Sequence, residues 1–163
     1  VAPPLIGGTA AILRPEQAVA AAPQAKTIGE AQIRRLIDEM QAASNRRHLN
    51  GVMKYLAPTA IIEMTIESPV APQSFRLSRE EYRQYLQKGF GMTQNYSGRY
   101  SNLKIQVSPD RRSATATYVL NETITVQNQV SLNSTSNATM KFEVIQGQIL
   151  VTHLNTNTRL DLP

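Results

Sequence analysis

Residues 27–90 read TIGEAQIRRLIDEMQAASNRRHLNGVMKYLAPTAIIEMTIESPVAPQSFRLSREEYRQYLQKGF. Thr27 and Glu30 have the spacing of a capping box, in which each side chain hydrogen-bonds a backbone N–H of the other residue. They predict the start of a first helix, which should run to about Arg47. Behind this cap, apolar residues recur at helical spacing: Ile33, Leu36, Ile37 and Met40.

A short second helix and a strand should follow. Asn50 is a candidate cap for that helix, and Pro58 disfavours its continuation. Residues 60–67 then alternate between apolar and polar side chains, as a strand does when its two faces differ. The apolar face consists of Ile62, Met64 and Ile66. The opposite face consists of Glu63, Thr65 and Glu67.

The third helix begins with a second capping box, formed by Ser78 and Glu81. Gly89 and Gly91 should end it. Its apolar stripe is Tyr82, Tyr85, Leu86 and Phe90. A short strand at residues 74–77 precedes it, and long strands follow at about residues 95–107, 113–127, 130–145 and 149–157. This order predicts an α+β cone, in which a curved, mostly antiparallel sheet of about five or six strands wraps three N-terminal helices.

Length and composition are typical of one globular domain. The chain has 163 residues, a net charge of +5 and no cysteine. We predict a single domain over residues 27–163, preceded by an extended arm or linker at residues 1–26. The basic residues are scattered instead of clustered with aromatic residues, which argues against nucleic-acid binding. No apolar run approaches the ~20 residues of a membrane span.

No metal or cofactor is expected from the sequence. The absence of cysteine excludes disulfides and thiolate ligands. The His, Asp and Glu residues do not recur at the spacing of a metal site. The Gly-containing segments lack the lysine and the strand–helix context of a phosphate-binding loop.

The first residues favour export. The chain starts at Val1 and continues through an Ala- and Pro-rich stretch, which is typical of the segment just after a removed signal peptide. A periplasmic or secreted location is therefore our expectation. A chain trimmed by other means would look the same, so a cytoplasmic location stays open.

Three motifs occur in a fixed order. Residues 56–63 are LAPTAIIE, residues 78–85 are SREEYRQY, and residues 141–149 are KFEVIQGQI. They resemble the helix-to-strand passage, the G-R-E-x-I-x-x-F start of helix three and the x-F-x-x-x-G-x-I hairpin of the nuclear transport factor 2-like superfamily. The SnoaL-like and ketosteroid isomerase branches are the most similar. The likeness covers about residues 28–157, and it implies a cone with a pocket between helices and sheet.

The isomerase chemistry of this superfamily is disfavoured. In ketosteroid isomerases a strand carboxylate abstracts the proton, while a helix Tyr and a protonated Asp stabilise the oxyanion. By resemblance, the carboxylate position falls at Met64, the Tyr position at Met40, and the second Asp position near Ala138. None of these side chains exchanges a proton.

Two other residues are weak catalytic candidates, Glu122 and His153. Glu122 shares a strand face with Tyr118, Leu120, Ile124 and Val126, so it is the best candidate for a buried carboxylate. His153 alternates with Ile149 and Val151 on the last strand. Glu63 and Glu67 are a tempting pair, but the resemblance places Ile62, Met64 and Ile66 inward and leaves both glutamates outside.

The cone interior should be apolar. Its predicted lining is Met40, Ile62, Met64, Ile66, Tyr82, Phe90, Tyr118, Met140 and Phe142. These side chains either close the cone as an ordinary core or leave a pocket for a small apolar ligand. The leading hypothesis is a non-catalytic exported domain that binds a partner or such a ligand. The alternative is a SnoaL-like isomerase, dehydratase or cyclase, and an open cavity with a buried carboxylate near a Tyr would favour it.

The outer sheet face is the predicted site of self-association. It should expose rows of Thr and Asn with occasional apolar residues such as Val119 and Val151. The resemblance implies a homodimer through that face, and two-fold dimers are the commonest oligomers.

Overall fold

The computed structural model describes residues 27–127 and 130–161. Within these ranges the chain forms three helices and six strands of one sheet, and two of the strands lie between the second and third helices. In chain order the elements are α1 (Glu30–Asn45), α2 (Leu49–Met53), β1 (Leu56–Glu67), β2 (Gln73–Ser78), α3 (Arg79–Met92), β3 (Thr93–Val107), β4 (Ser113–Val126), β5 (Ser131–Ile145) and β6 (Gln148–Asp161). The predicted α+β class is confirmed. The arm at residues 1–26 and the export prediction based on it lie outside the described residues.

The sheet has the strand order β2-β1-β6-β5-β4-β3. β1 and β6 are parallel, and the other neighbouring strands are antiparallel. Shifts in register interrupt the ladders between Leu56 and Ile61, Thr93 and Asn95, Ser101 and Lys104, and Lys141 and Phe142. Such bulges bend a strand and increase its twist, which lets strands of up to 15 residues wrap the helices.

The first helix begins differently from the prediction. Its N-cap is Gly29, whose backbone N–H donates to Gln32 Oε1 at 2.7 Å. The Ile28 N–H donates to a backbone carbonyl of the β3–β4 turn at 2.8 Å, which keeps the chain extended up to Gly29. The proposed capping box of Thr27 and Glu30 is therefore wrong, because Glu30 is already the first helical residue.

The second helix also begins earlier than predicted. Its N-cap is His48, and Asn50 lies inside the helix. The helix ends at Met53, well before Pro58, which is an exposed residue of β1.

The third helix confirms the predicted capping box. The Glu81 N–H donates to Ser78 Oγ at 3.2 Å, and the Ser78 N–H donates to Glu81 Oε1 at 3.1 Å. The prediction that Gly89 and Gly91 end this helix is wrong, since it continues to Met92. A glycine inside a helix costs about 1 kcal/mol relative to alanine, and a well-capped helix tolerates that cost.

The buried core connects α1, α2, β1 and the inner faces of β4, β5 and β6. Its largest fully buried side chains include Ile28, Ile33, Met53, Ile62, Phe142 and Val151. These residues fill one end of the cone and leave the other end open. No helix of residues 27–127 and 130–161 has the length and apolar character needed to cross a membrane.

Candidate functional site

A cavity of about 300 Å³ opens between the helices and the inner face of the sheet. Helices α1 and α3 form one wall, and β1, β3, β4, β5 and β6 form the other. Side chains on the helical wall include Ile37, Met40, Gln41, Tyr82, Tyr85, Leu86 and Phe90. Those on the sheet wall include Met64, Ile66, Tyr96, Tyr118, Leu120, Glu122, Ser134, Ser136, Met140, Thr156 and Thr158.

Most of the predicted lining residues face this cavity. They are Met40, Met64, Ile66, Tyr82, Phe90, Tyr118 and Met140. Ile62 and Phe142 do not belong to it, because both side chains are 0% exposed and pack inside the core. For these two residues the structure agrees with the alternative that the side chains close the cone as ordinary core.

Glu122 is the carboxylate of the cavity. It projects inward from β4 and accepts a hydrogen bond from the Tyr96 hydroxyl. Burial raises the pKa of Glu122, and hydrogen bonds from Tyr96 and Ser134 offset part of that rise. A carboxyl group with a raised pKa holds its proton more readily near neutral pH than an exposed one does.

Gly98 allows Tyr96 to reach Glu122. Gly98 pairs with Glu122 across β3 and β4, and Tyr96 is two residues before it on the same strand face. A Cβ on Gly98 would lie 2.8 Å from the Tyr96 hydroxyl oxygen. The absence of a side chain at Gly98 thus leaves room for the phenol. Asn45 of α1 holds the free edge of this strand, since it accepts from the Gly98 N–H at 2.9 Å and donates to the Gly98 carbonyl at 3.2 Å.

A strip of hydroxyl groups continues from Glu122 across the sheet wall. Ser134 pairs with Glu122 in the β4–β5 register and is 6% exposed. In the next row, Ser136 and Thr158 hydrogen-bond each other through their hydroxyls at 2.8 Å. The sheet wall therefore offers polar contacts along one line, while the facing helical wall is mostly apolar.

Four tyrosines line the cavity: Tyr82, Tyr85, Tyr96 and Tyr118. The pKa of each is raised, first by burial and then by the charge of Glu122 or of neighbouring phenols. All four therefore stay neutral at physiological pH and act as hydrogen-bond groups and aromatic surfaces.

The positions that the resemblance assigns to the isomerase acids carry no ionisable side chain. Met40 and Met64 line the cavity, and Ala138 is buried on β5 opposite Tyr118. Glu122 projects from a different strand position, so any proton transfer here would use an arrangement other than that of the isomerase.

His153 lies on the outer face of the sheet, away from the cavity. Its Nε2 is 3.4 Å from Glu63 Oε1, and Arg76 contacts the same oxygen at 3.1 Å. These contacts agree with the predicted outward orientation of Glu63. His153 does not share a face with Val151, because the bulge at Thr152 turns Val151 into the core, where it is 0% exposed. Val151 was therefore wrongly predicted to be an outer-face residue, and the catalytic candidate His153 has no access to the cavity.

Sequence reasoning missed Tyr96 and Ser134 as partners of Glu122. A signal was present for Tyr96, since Tyr96 and Gly98 are two residues apart on a predicted strand and therefore share one of its faces. Which strand lies beside Glu122 depends on the sheet register, and residue patterns alone do not determine that register.

Comparison with solved structures identifies the fold. A conserved protein from Planctomyces limnophilus superimposes with a TM-score of 0.69 at 10% identity, over 81% of this chain and 97% of that one. A nuclear transport factor 2-like protein of unknown function from Pseudomonas putida gives a TM-score of 0.64 at 19% identity, over 78% and 84%. The chain has the nuclear transport factor 2-like fold.

The resemblance inferred from three motifs is thereby confirmed at the level of the fold. Hexachlorocyclohexane dehydrochlorinase LinA-type3 from Novosphingobium barchaimii has the same fold, with a TM-score of 0.62 at 13% identity over 81% of this chain and 86% of that one. No protein-family model matches the sequence, and a search of curated proteins found no match.

Proposed function

We propose that the protein binds a small, largely apolar organic molecule in the open cone. The observation behind this proposal is the cavity of about 300 Å³, with an apolar helical wall and a few convergent polar groups around Glu122. Pockets for small molecules are usually of this kind. Glu122, Tyr96 and Ser134 would orient the ligand, and the side chains of Met40, Met64 and Leu86 would contact its apolar body.

Filling the cavity tests this proposal. N-phenyl-1-naphthylamine, a neutral dye that fluoresces in apolar surroundings, should bind the wild-type protein. Met64→Trp places a larger side chain in the cavity and should weaken dye binding by about tenfold or more, since the space for the ligand is lost. The measurement is a fluorescence titration.

The matched control is Thr65→Trp, on the opposite face of β1. Thr65 contacts Ser74 on the outer face of the sheet, so its replacement should leave the dye affinity unchanged. Equal affinities of wild type and Met64→Trp, with both proteins folded by circular dichroism, would contradict binding in the cone.

A second candidate function is supported by the Glu122–Tyr96 pair. The open cavity with a buried carboxylate beside a Tyr meets the criterion that favours an enzyme over a passive binding domain. General acid–base catalysis needs such a group with a pKa shifted toward the working pH. A dehydrochlorinase of the same fold supports the idea that this architecture accommodates elimination chemistry.

Hydrogen exchange on a small ketone tests the second candidate. In D₂O, the Glu122 carboxylate would remove an α-proton from 2-tetralone, and the enolate would take up deuterium when the exchanged carboxyl group returns it. NMR should show deuterium incorporation faster than in buffer by about 10²-fold or more, and Glu122→Gln should abolish the difference. Equal rates with wild type and Glu122→Gln would reject this candidate while leaving ligand binding intact.

A two-fold dimer through the outer sheet face is our proposal for assembly. Asn137 is exposed near the middle of that face, where it pairs with Val119 and Asn157 on the flanking strands. Asn137→Arg would bring two like charges together at a two-fold axis and should shift the dimer to monomer. Light scattering at a protein concentration on the order of tens of micromolar measures the molar mass of the particle in solution. A monomeric wild type would refute the dimer.

A further inference from the structure

The charge balance of the cavity is one-sided. Among the described residues that line it, Glu122 is the only one with an ionisable acid or base other than the tyrosine phenols. Helix α1 contributes neutral polar groups such as Gln41, β5 contributes serines and β6 contributes threonines. Within the described part of the chain, the cavity thus has a carboxyl group and no cation to pair with it.

Nearby charged groups do not supply this cation. Arg47 donates to the Thr93 carbonyl at the cavity rim, and its side chain is otherwise exposed. Arg99 and Asp161 line a polar depression on the outer face of the sheet, behind Glu122. Among the described residues, a charge on Glu122 is therefore uncompensated from inside the cone.

The aromatic side chains point to the same kind of ligand. Tyr82 and Tyr85 stack with ring centroids 6.2 Å apart and planes 14° apart. Tyr96 and Tyr118 line the opposite wall. Aromatic faces attract cations, and cages of several aromatic rings are a common site for ammonium groups. Here Tyr96 contacts the carboxylate that an ammonium group needs for an ion pair, and the other three rings line the same cavity.

We infer that the ligand of the cone is an organic cation, a small apolar molecule with one ammonium group directed at Glu122 and the tyrosines. This inference rests on the proposed binding function and specifies its ligand class. The ammonium group would neutralise the buried carboxylate, and the apolar body would contact the helical wall. A neutral ligand of equal shape would leave the carboxylate hydrogen-bonded to Tyr96 but without a cation.

The inference has a defined pH dependence. Burial raises the pKa of Glu122, so the empty cavity stabilises the protonated form relative to that of an exposed glutamate. A bound cation favours the carboxylate instead, so cation binding releases a proton. Affinity for a permanent cation should therefore increase with pH until Glu122 is fully ionised, while affinity for a neutral molecule should not increase.

Two probes of the same shape test the inference. Benzyltrimethylammonium is a permanent cation, and neopentylbenzene is its neutral isostere. Both are titrated against bound N-phenyl-1-naphthylamine at about pH 4.5, close to the ordinary glutamate pKa, and at about pH 8. We expect the cation to bind at least about tenfold more tightly than the isostere at the higher pH, and to lose affinity at the lower pH.

Glu122→Gln should remove the preference for the cation over its neutral isostere. The matched control is Glu67→Gln, the same change on an exposed residue of the outer face, and it should keep the preference. If the dye binds but the isostere competes as well as the cation at the higher pH, the cation inference is overturned and the proposed binding function stands. If the dye itself does not bind, the proposed function fails and the inference fails with it. The pH dependence in wild type is an independent readout, so a misfolded Glu122→Gln would not leave the inference untested.

Discussion

Phe142→Ala is expected to lower the free energy of unfolding by about 3–5 kcal/mol. The Phe142 ring is 0% exposed and pairs across the sheet with Ala114 and Val151, two other buried residues. Its removal leaves a cavity that the surrounding strands can fill only in part, because their backbones are fixed by ladders on both sides. Urea denaturation followed by circular dichroism measures the loss.

Phe75→Ala is the matched control. Phe75 is on the short edge strand β2 and is 42% exposed, so its truncation should cost less than about 1 kcal/mol. If Phe142→Ala were as mild as Phe75→Ala, Phe142 would have to border open space, as the pocket interpretation of the sequence requires. The comparison thus separates a core residue from a residue of the ligand cavity.

The sequence was sufficient for the architecture because the elements are locally encoded. Ser78 and Glu81 fix the start of α3 through contacts within one turn. The alternation of Ile62 with Glu63 assigns the two faces of β1, and the structure places them as predicted: Ile62 is 0% exposed and Glu63 contacts His153 outside. At the start of α1, where the prediction failed, a distant contact decided the outcome, because the Ile28 N–H pairs with the β3–β4 turn.

The candidate site depended on such distant contacts. Glu122 was recognisable as a candidate inward carboxylate, because it shares a strand face with apolar residues. Its partners Tyr96 and Ser134 come from two other strands, and only the register brings them together. The bulge at Thr152 was equally hidden from the sequence pattern. Because of this one extra residue, Val151 faces the core and His153 faces outward.

Met64→Asp is expected to lower the free energy of unfolding by about 2–4 kcal/mol near neutral pH. Met64 packs against the core and borders the cavity, where Met40 and Ile66 are among the apolar lining residues. An aspartate there loses those contacts, has no cation among the described lining residues, and shares the cavity with Glu122. Urea denaturation at about pH 7 and about pH 4.5 measures the loss, because these values lie well above and close to the ordinary aspartate pKa.

The loss should shrink in mild acid. Burial would raise the folded-state pKa of the new aspartate above its unfolded value of about 3.9, so the protonated form is the one that the fold favours. Stability is then retained below the unfolded pKa and is lost as the pH rises through the folded pKa. Met64→Asn, which is polar but does not ionise, should show a smaller loss that changes little between the two pH values.

Glu63→Ala is the control for the strand faces, and it should change stability by less than about 1 kcal/mol unless a dimer buries that position. A costly Glu63→Ala together with a harmless Met64→Asp would mean that β1 presents the opposite face to the cavity. In that case Glu63 and Glu67 would be the carboxylates inside the cone. Any function assigned to Glu122 would then have to be compared with one for that pair.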